Sequence, residues 1–141
     1  MSKINLIYRA PVSDGSGYSV NSRNLLLELI KSNKFNIKLE NYLGSSVKAD
    51  LNKEEINLFN GLIKNNVKKE SSVLFQISVA AQFNPDCFKN IGYSVFETNR
   101  IPYTWVIPSN KMDAICVPCS QNRDAFIETG VTKPVYIVPH G

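Results

Sequence analysis

The chain has 141 residues, 43% of them hydrophobic and 20% charged, with a formal net charge of +4. That length fits one domain with a core of its own, and the composition excludes an intrinsically disordered chain. The richest apolar run, residues 25–30, is far short of the roughly 18–20 residues of a membrane span, and the opening residues are too briefly apolar for a secretory signal. The reading is a soluble, cytoplasmic protein. The positive excess lies in residues 1–70, where 11 Lys or Arg face 7 Asp or Glu, whereas 5 face 5 in residues 71–141. Scattered lysines and the cluster Lys64, Lys68 and Lys69 read as a solvated surface, with weak attraction to an anionic membrane surface or to phosphorylated substrates as the sharper alternative. Arginine is scarce and no aromatics interleave with the basic cluster, so no nucleic-acid partner is expected.

In chain order, residues 4–8 read as a first strand, followed by a turn-rich stretch over 10–17. A helix is expected over 19–32, with apolar residues nearly all round it. Residues 35–40 alternate with period two and read as a strand, and 44–52 as a loop. Residues 53–69 place Ile56, Phe59, Leu62, Ile63 and Val67 on one helical stripe, expected to face the core. Strands follow at 72–79 and 92–96. A short helix over 102–112 is interrupted or ended near Pro108. Residues 114–117 form a strand, Ser120 caps a helix that stops at Gly130, and 135–138 is the last strand. This rhythm predicts one α/β domain over 1–141, Rossmann-like, with a mainly parallel sheet and flanking helices. The chain stops directly after its last strand, an odd place to end unless something follows.

Three places can carry chemistry. The first is the loop Gly15, Ser16, Gly17 and Tyr18, where glycines and a helix N-terminus suit a diphosphate. Only Gly-x-Gly of a dinucleotide fingerprint survives, and Glu40 is a weak mimic of its ribose-binding acid. The second is Cys116-Val117-Pro118-Cys119. Cys116 falls inside a strand, and a zinc site from Cys87, Cys116, Cys119 and His140 lacks a second close ligand pair, so buried thiols and no metal are expected. The third is Glu97, Thr98, Asn99 and Arg100 at the carboxyl end of an expected strand, where open α/β sheets keep their ligand crevice. These side chains can hydrogen-bond a sugar or grip a phosphate; equally, Glu97 and Arg100 can form a plain ion pair.

Ile91-Gly92-Tyr93-Ser94-Val95-Phe96-Glu97-Thr98, then Arg100-Ile101-Pro102 and Trp105, resembles the N-terminal half of family-4 glycosyltransferases. So does the run from Met112 to Gly141, through Met112-Asp113, Val117-Pro118, Ser120-Gln121, Phe126, Gly130-Val131 and Pro134-Val135 to Val138-Pro139-His140-Gly141. The resemblance implies the acceptor-side domain of a GT-B enzyme, two Rossmann-like domains facing across a cleft. It implies that Gly15, Ser16, Gly17 and Tyr18 approach the donor diphosphate. Thr98, Asn99 and Arg100 would contact sugar or phosphate, and Glu97, near a place where many relatives have a histidine, would be the catalytic candidate. His140 and Gly141 would lie toward the second domain.

The implied partners are a nucleotide-sugar donor as substrate, a glycan, lipid-linked or small-molecule acceptor, and a C-terminal glycosyltransferase domain in cis or in trans. No cofactor is implied. Two rival readings are a noncatalytic Rossmann-like module that binds a glycan or protein, and a nucleotide-dependent oxidoreductase domain.

Overall fold

The computed structural model describes residues 2–42 and 49–140. Its elements are β1 (Ile4–Ala10), α1 (Gly17–Lys31), β2 (Phe35–Asn41), α2 (Lys53–Lys64), β3 (Val73–Ile77), β4 (Lys89–Tyr93), α3 (Val106–Asn110), β5 (Ala114–Val117), α4 (Ser120–Thr129) and β6 (Val135–Ile137). All strands pair in parallel in the order β2-β1-β3-β4-β5-β6. The expected α/β Rossmann-like architecture is therefore present. Among the described residues, no helix is long and apolar enough to cross a membrane.

Period-two alternation splits the core between the two sheet faces. Leu6 and Tyr8 point to one face, with Ile37, Leu39 and Ile77, and meet Leu26 of α1 and Phe59 of α2. Ile7 points to the other, with Leu74, Ile115 and Val117, and meets Trp105, Val106 and Phe126. Phe96 packs edge-on against Trp105, with ring centroids 5.0 Å apart.

Several element boundaries differ from the sequence expectation, each for a local reason. Helix α1 starts at Gly17 because Ser16 caps it, its Oγ accepting from Ser19 N at 3.1 Å. Gly17 is thus the first helical residue and not part of the loop. Helix α2 stops at Lys64, short of 69: the Asn65 side-chain amide donates to Asn36 Oδ1 and Ile37 O, holding the chain in an extended conformation. Its stripe is only partly a core stripe. Phe59 is buried and Leu62 and Ile63 are half-buried, but Ile56 is exposed, and Val67, beyond the helix, packs on the opposite cluster.

Strand β4 starts at Lys89, before the expected residue 92, and ends at Tyr93, before Phe96. Ser94 N still donates to Cys116 O of β5 at 3.2 Å, but the backbone groups of Val95 and Phe96 are taken by side chains. Between β3 and β4 there is only a 3-10 turn at Ala80–Gln82, so strict strand–helix alternation fails there. Pro108 lies within α3, whose first turn needs no N–H from it. Ser120 is the first residue of α4 rather than its cap; Cys119 holds that place, without a side-chain cap bond. Gly130 ends α4 at φ 128°, a conformation that favours glycine. The expected loop over 44–52 lies mostly outside the described residues.

Candidate functional site

In a parallel sheet every strand delivers its following loop to the same edge. The first strand here lies between β2 and β3, so the order in which the chain adds strands reverses at β1 while every strand stays parallel. The connections on either side of β1 therefore diverge. Such a switch point opens a crevice for ligands. A cavity of about 250 Å³ lies there, lined by Pro11, Ser16, Tyr18, Tyr42, Ser78, Val79 and Gln82.

The glycine loop forms one wall and is rigidly tied. The Asp14 carboxylate accepts from Ser16 N at 2.7 Å, and Asp14 N donates to Ser19 Oγ at 3.2 Å. Arg23 donates from one nitrogen to Val12 O and Asp14 O, both at 2.9 Å, and to Ser19 Oγ. The N–H of Ser19 goes to its cap and that of Val20 to Ser16 O, which leaves the N–H groups of Gly17 and Tyr18 without a partner among the described residues. A Cβ on Gly17 would meet nothing within 4 Å, and its φ is not in the left-handed region. Gly17 is therefore required neither by backbone conformation nor by protein packing.

Tyr18 joins this loop to the third candidate place, although 77 residues separate them. Its hydroxyl donates to Val95 O at 3.2 Å and accepts from Val95 N at 3.3 Å. Buried Asn122 of α4 holds the next residue in the same way, accepting from Phe96 N at 2.9 Å and donating to Phe96 O at 2.7 Å. These two clamps lift the chain off the sheet, so that Glu97, Thr98, Asn99 and Arg100 emerge as an exposed turn. Thr98 Oγ1 donates to Arg100 O at 2.8 Å, and Asn99 Oδ1 accepts from Gln121 at 3.3 Å. No ion pair joins Glu97 to Arg100 among the described residues, so both charges point to solvent. Asn99 also borders a shallow depression lined by Ser120, Gln121, Asp124 and Glu128, whose acids disfavour phosphate.

His140 stacks on Tyr93 with centroids 5.8 Å apart, and the Tyr93 hydroxyl donates to Val138 O at 2.8 Å. His140 thus belongs to the same carboxyl edge, on the β4–β6 side. Gly141 lies outside the described residues. Val138 and Pro139 border a second groove of about 580 Å³ that runs along α1 past Asn21, Leu25 and Glu28.

Glu40 is committed elsewhere. Arg9 Nε donates to it at 2.7 Å, while the other Arg9 nitrogens reach Asp86, Asn84 O and Gln76. Lys69 pairs with Asp86 at 2.6 Å, which removes one charge from the basic cluster. Burial pushes the Asp86 carboxyl up, but hydrogen bonds from Lys69 and Arg9 outweigh it and hold it below its ordinary value. Cys116 is buried in β5 and Cys119 is exposed at the start of α4. Among the described residues no three His, Cys, Asp or Glu stand together in a way that could hold a metal ion.

Tyr42, Ser78, Val79 and Gln82 are the site residues that sequence reasoning missed. No local pattern marks them: each becomes a cavity wall only because β1 lies between β2 and β3. Comparison with family models, with curated proteins and with solved structures yields no match for this chain.

Proposed function

We propose that this chain is the acceptor-side domain of a retaining glycosyltransferase that moves a sugar from a nucleotide-sugar donor to an acceptor. The observation that carries the reading is the Tyr18–Val95 clamp, which sets the glycine loop and the Glu97–Arg100 turn side by side on the ligand edge of a parallel sheet. In this chemistry the leaving diphosphate gains charge as the glycosidic bond breaks, so fixed donors aimed at it act most strongly at the transition state. The N–H groups of Gly17 and Tyr18, at the positive end of α1, are such donors. Arg100 is exposed and carries no ion pair among the described residues, so it is free to swing toward the same charge. Glu97 and Thr98 contact sugar hydroxyls, with Glu97 the residue closest to a catalytic role. The nucleotide is held by a second domain, in cis or in trans, and His140 lies on the side that meets it.

The test is product formation by the 141-residue chain, by a donor-binding glycosyltransferase domain, and by both together. Transfer should need both, since one wall of a cleft cannot orient donor and acceptor at once. Robust transfer by the 141 residues alone would overturn the half-enzyme reading.

A further inference from the structure

The switch-point cavity has a chemistry that the glycine loop alone does not announce. Two of its walls are tyrosine rings held at their tips: Tyr18 by Val95, and Tyr42 by a hydrogen bond from its hydroxyl to Ile77 O. Both rings thus present fixed apolar faces, which lowers the entropy lost when a ligand settles on them.

Between them stand neutral polar groups, some with unused capacity. Ser16 Oγ accepts from Ser19 N and keeps its own O–H to donate. Ser78 Oγ donates to Val79 O, accepts from Gln76 and also meets the Tyr42 hydroxyl, so it serves as a polar patch of the wall and not as a spare partner. The Gln82 carboxamide is exposed and has no partner among the described residues, so it offers both a donor pair and an acceptor. Among the described residues, none that lines the cavity carries a charge. Arg23 of α1 does not line the cavity; one of its nitrogens is directed to Val12 O, Asp14 O and Ser19 Oγ. Asp14, 2% exposed, hydrogen-bonds the cap residue directly behind the wall. A phosphate placed here would meet no lining cation among the described residues.

Size narrows the choice further. A volume of about 250 Å³ is below the roughly 300 Å³ at which pockets for drug-sized ligands begin. It suits one six-membered ring and not a dinucleotide.

We propose that this cavity holds a single uncharged, polyhydroxylated ring, the pyranose end of the acceptor, and takes no phosphate. The assignment to the acceptor rests on the glycosyltransferase reading; the ligand class rests on the cavity walls. The donor diphosphate is then left to the N–H groups of Gly17 and Tyr18.

The experiment is an amide-shift titration of the isotope-labelled chain with methyl glucoside, methyl galactoside, methyl mannoside and N-acetylglucosamine, and separately with inorganic pyrophosphate. At least one sugar should shift the Tyr18, Ser78, Val79 and Gln82 amides saturably, and pyrophosphate should leave Ser78, Val79 and Gln82 unmoved. Val79 is 37% exposed, so Val79→Trp fills the cavity without burying new bulk in the core; sugar affinity should fall at least tenfold. Gln82→Ala, at an exposed side chain, is the second variant and should weaken binding less. Saturable pyrophosphate shifts at Ser78 and Val79, no shift with any sugar, or sugar binding unchanged in Val79→Trp would each overturn the assignment. Sugar binding without transfer by the two domains together upholds the cavity and overturns the enzyme reading. Transfer undiminished in Val79→Trp upholds the enzyme reading and overturns the cavity.

Discussion

The Tyr18 hydroxyl closes a two-way hydrogen bond with the Val95 backbone, donating to its oxygen at 3.2 Å and accepting from its nitrogen at 3.3 Å. One phenol thereby replaces the strand neighbour that Val95 would otherwise need, and the chain leaves the sheet at that point. Tyr18→Phe removes both bonds and keeps the ring. A typical net hydrogen bond contributes about 0.5–1.5 kcal/mol, so a loss of about 1–2 kcal/mol is expected. On the proposed glycosyltransferase reading, transfer by the two domains together should fall more than the population of folded protein does, because the Glu97–Arg100 turn loses its anchor. Denaturant unfolding read beside turnover separates the two effects. Equal activity per folded molecule would show that the clamp does not position the turn.

Gly17→Ala should be tolerated. The added Cβ meets nothing within 4 Å and the backbone is already helical. Replacing glycine at a compatible position typically stabilises by about 0.4–1 kcal/mol through the unfolded chain. Thermal melting should therefore stay level or rise slightly. A fall of several degrees would mean that the loop needs glycine for the fold itself.

Gly92→Ala should be damaging. A Cβ there would stand 2.5 Å from the Phe83 ring, and Phe83 is itself buried. Overpacking of this kind costs about 1–3 kcal/mol. Phe83→Leu in the same chain should recover part of the loss, because it vacates the space the methyl group needs. Additive losses in the double variant would show that the ring does not set the limit at position 92.

Alkaline pH should weaken the fold in a defined window. Burial pushes the Cys116 thiol from 9.0 up to about 11, and burial with the nearby Asp86 carboxylate does the same for Cys87. The unfolded chain ionises these thiols first, so their contribution is complete below pH 9 and is lost as pH rises toward 11. Burial also pushes the Tyr42 and Tyr93 phenols up to about 12, which extends the loss above pH 10. Melting temperature should drop between pH 8.5 and 11 on the scale these groups set, and Cys116→Ala should flatten the first part of the curve. Equal melting temperatures across that window would contradict the burial of these groups.

Local pattern was enough to read most of the fold. Apolar runs bounded by turn residues placed β1, β2, β3, β5 and β6 within a few residues, because a buried strand must present alternating or continuous apolar side chains whatever its neighbours are. Gly130 marked the end of α4 for an equally local reason, its positive φ. Errors gathered where a distant side chain takes over the backbone: Asn65 ends α2, and Tyr18 and Asn122 end the extended run after Tyr93. The same holds for the site. Gly15, Ser16, Gly17 and Tyr18 were legible as a loop before a helix, and Glu97 through Arg100 as polar residues after a strand. Their neighbourhood, and the walls supplied by Tyr42, Ser78, Val79 and Gln82, depend on strand order. Strand order is settled by which faces bury together across the whole sheet, and no window of the chain contains that information.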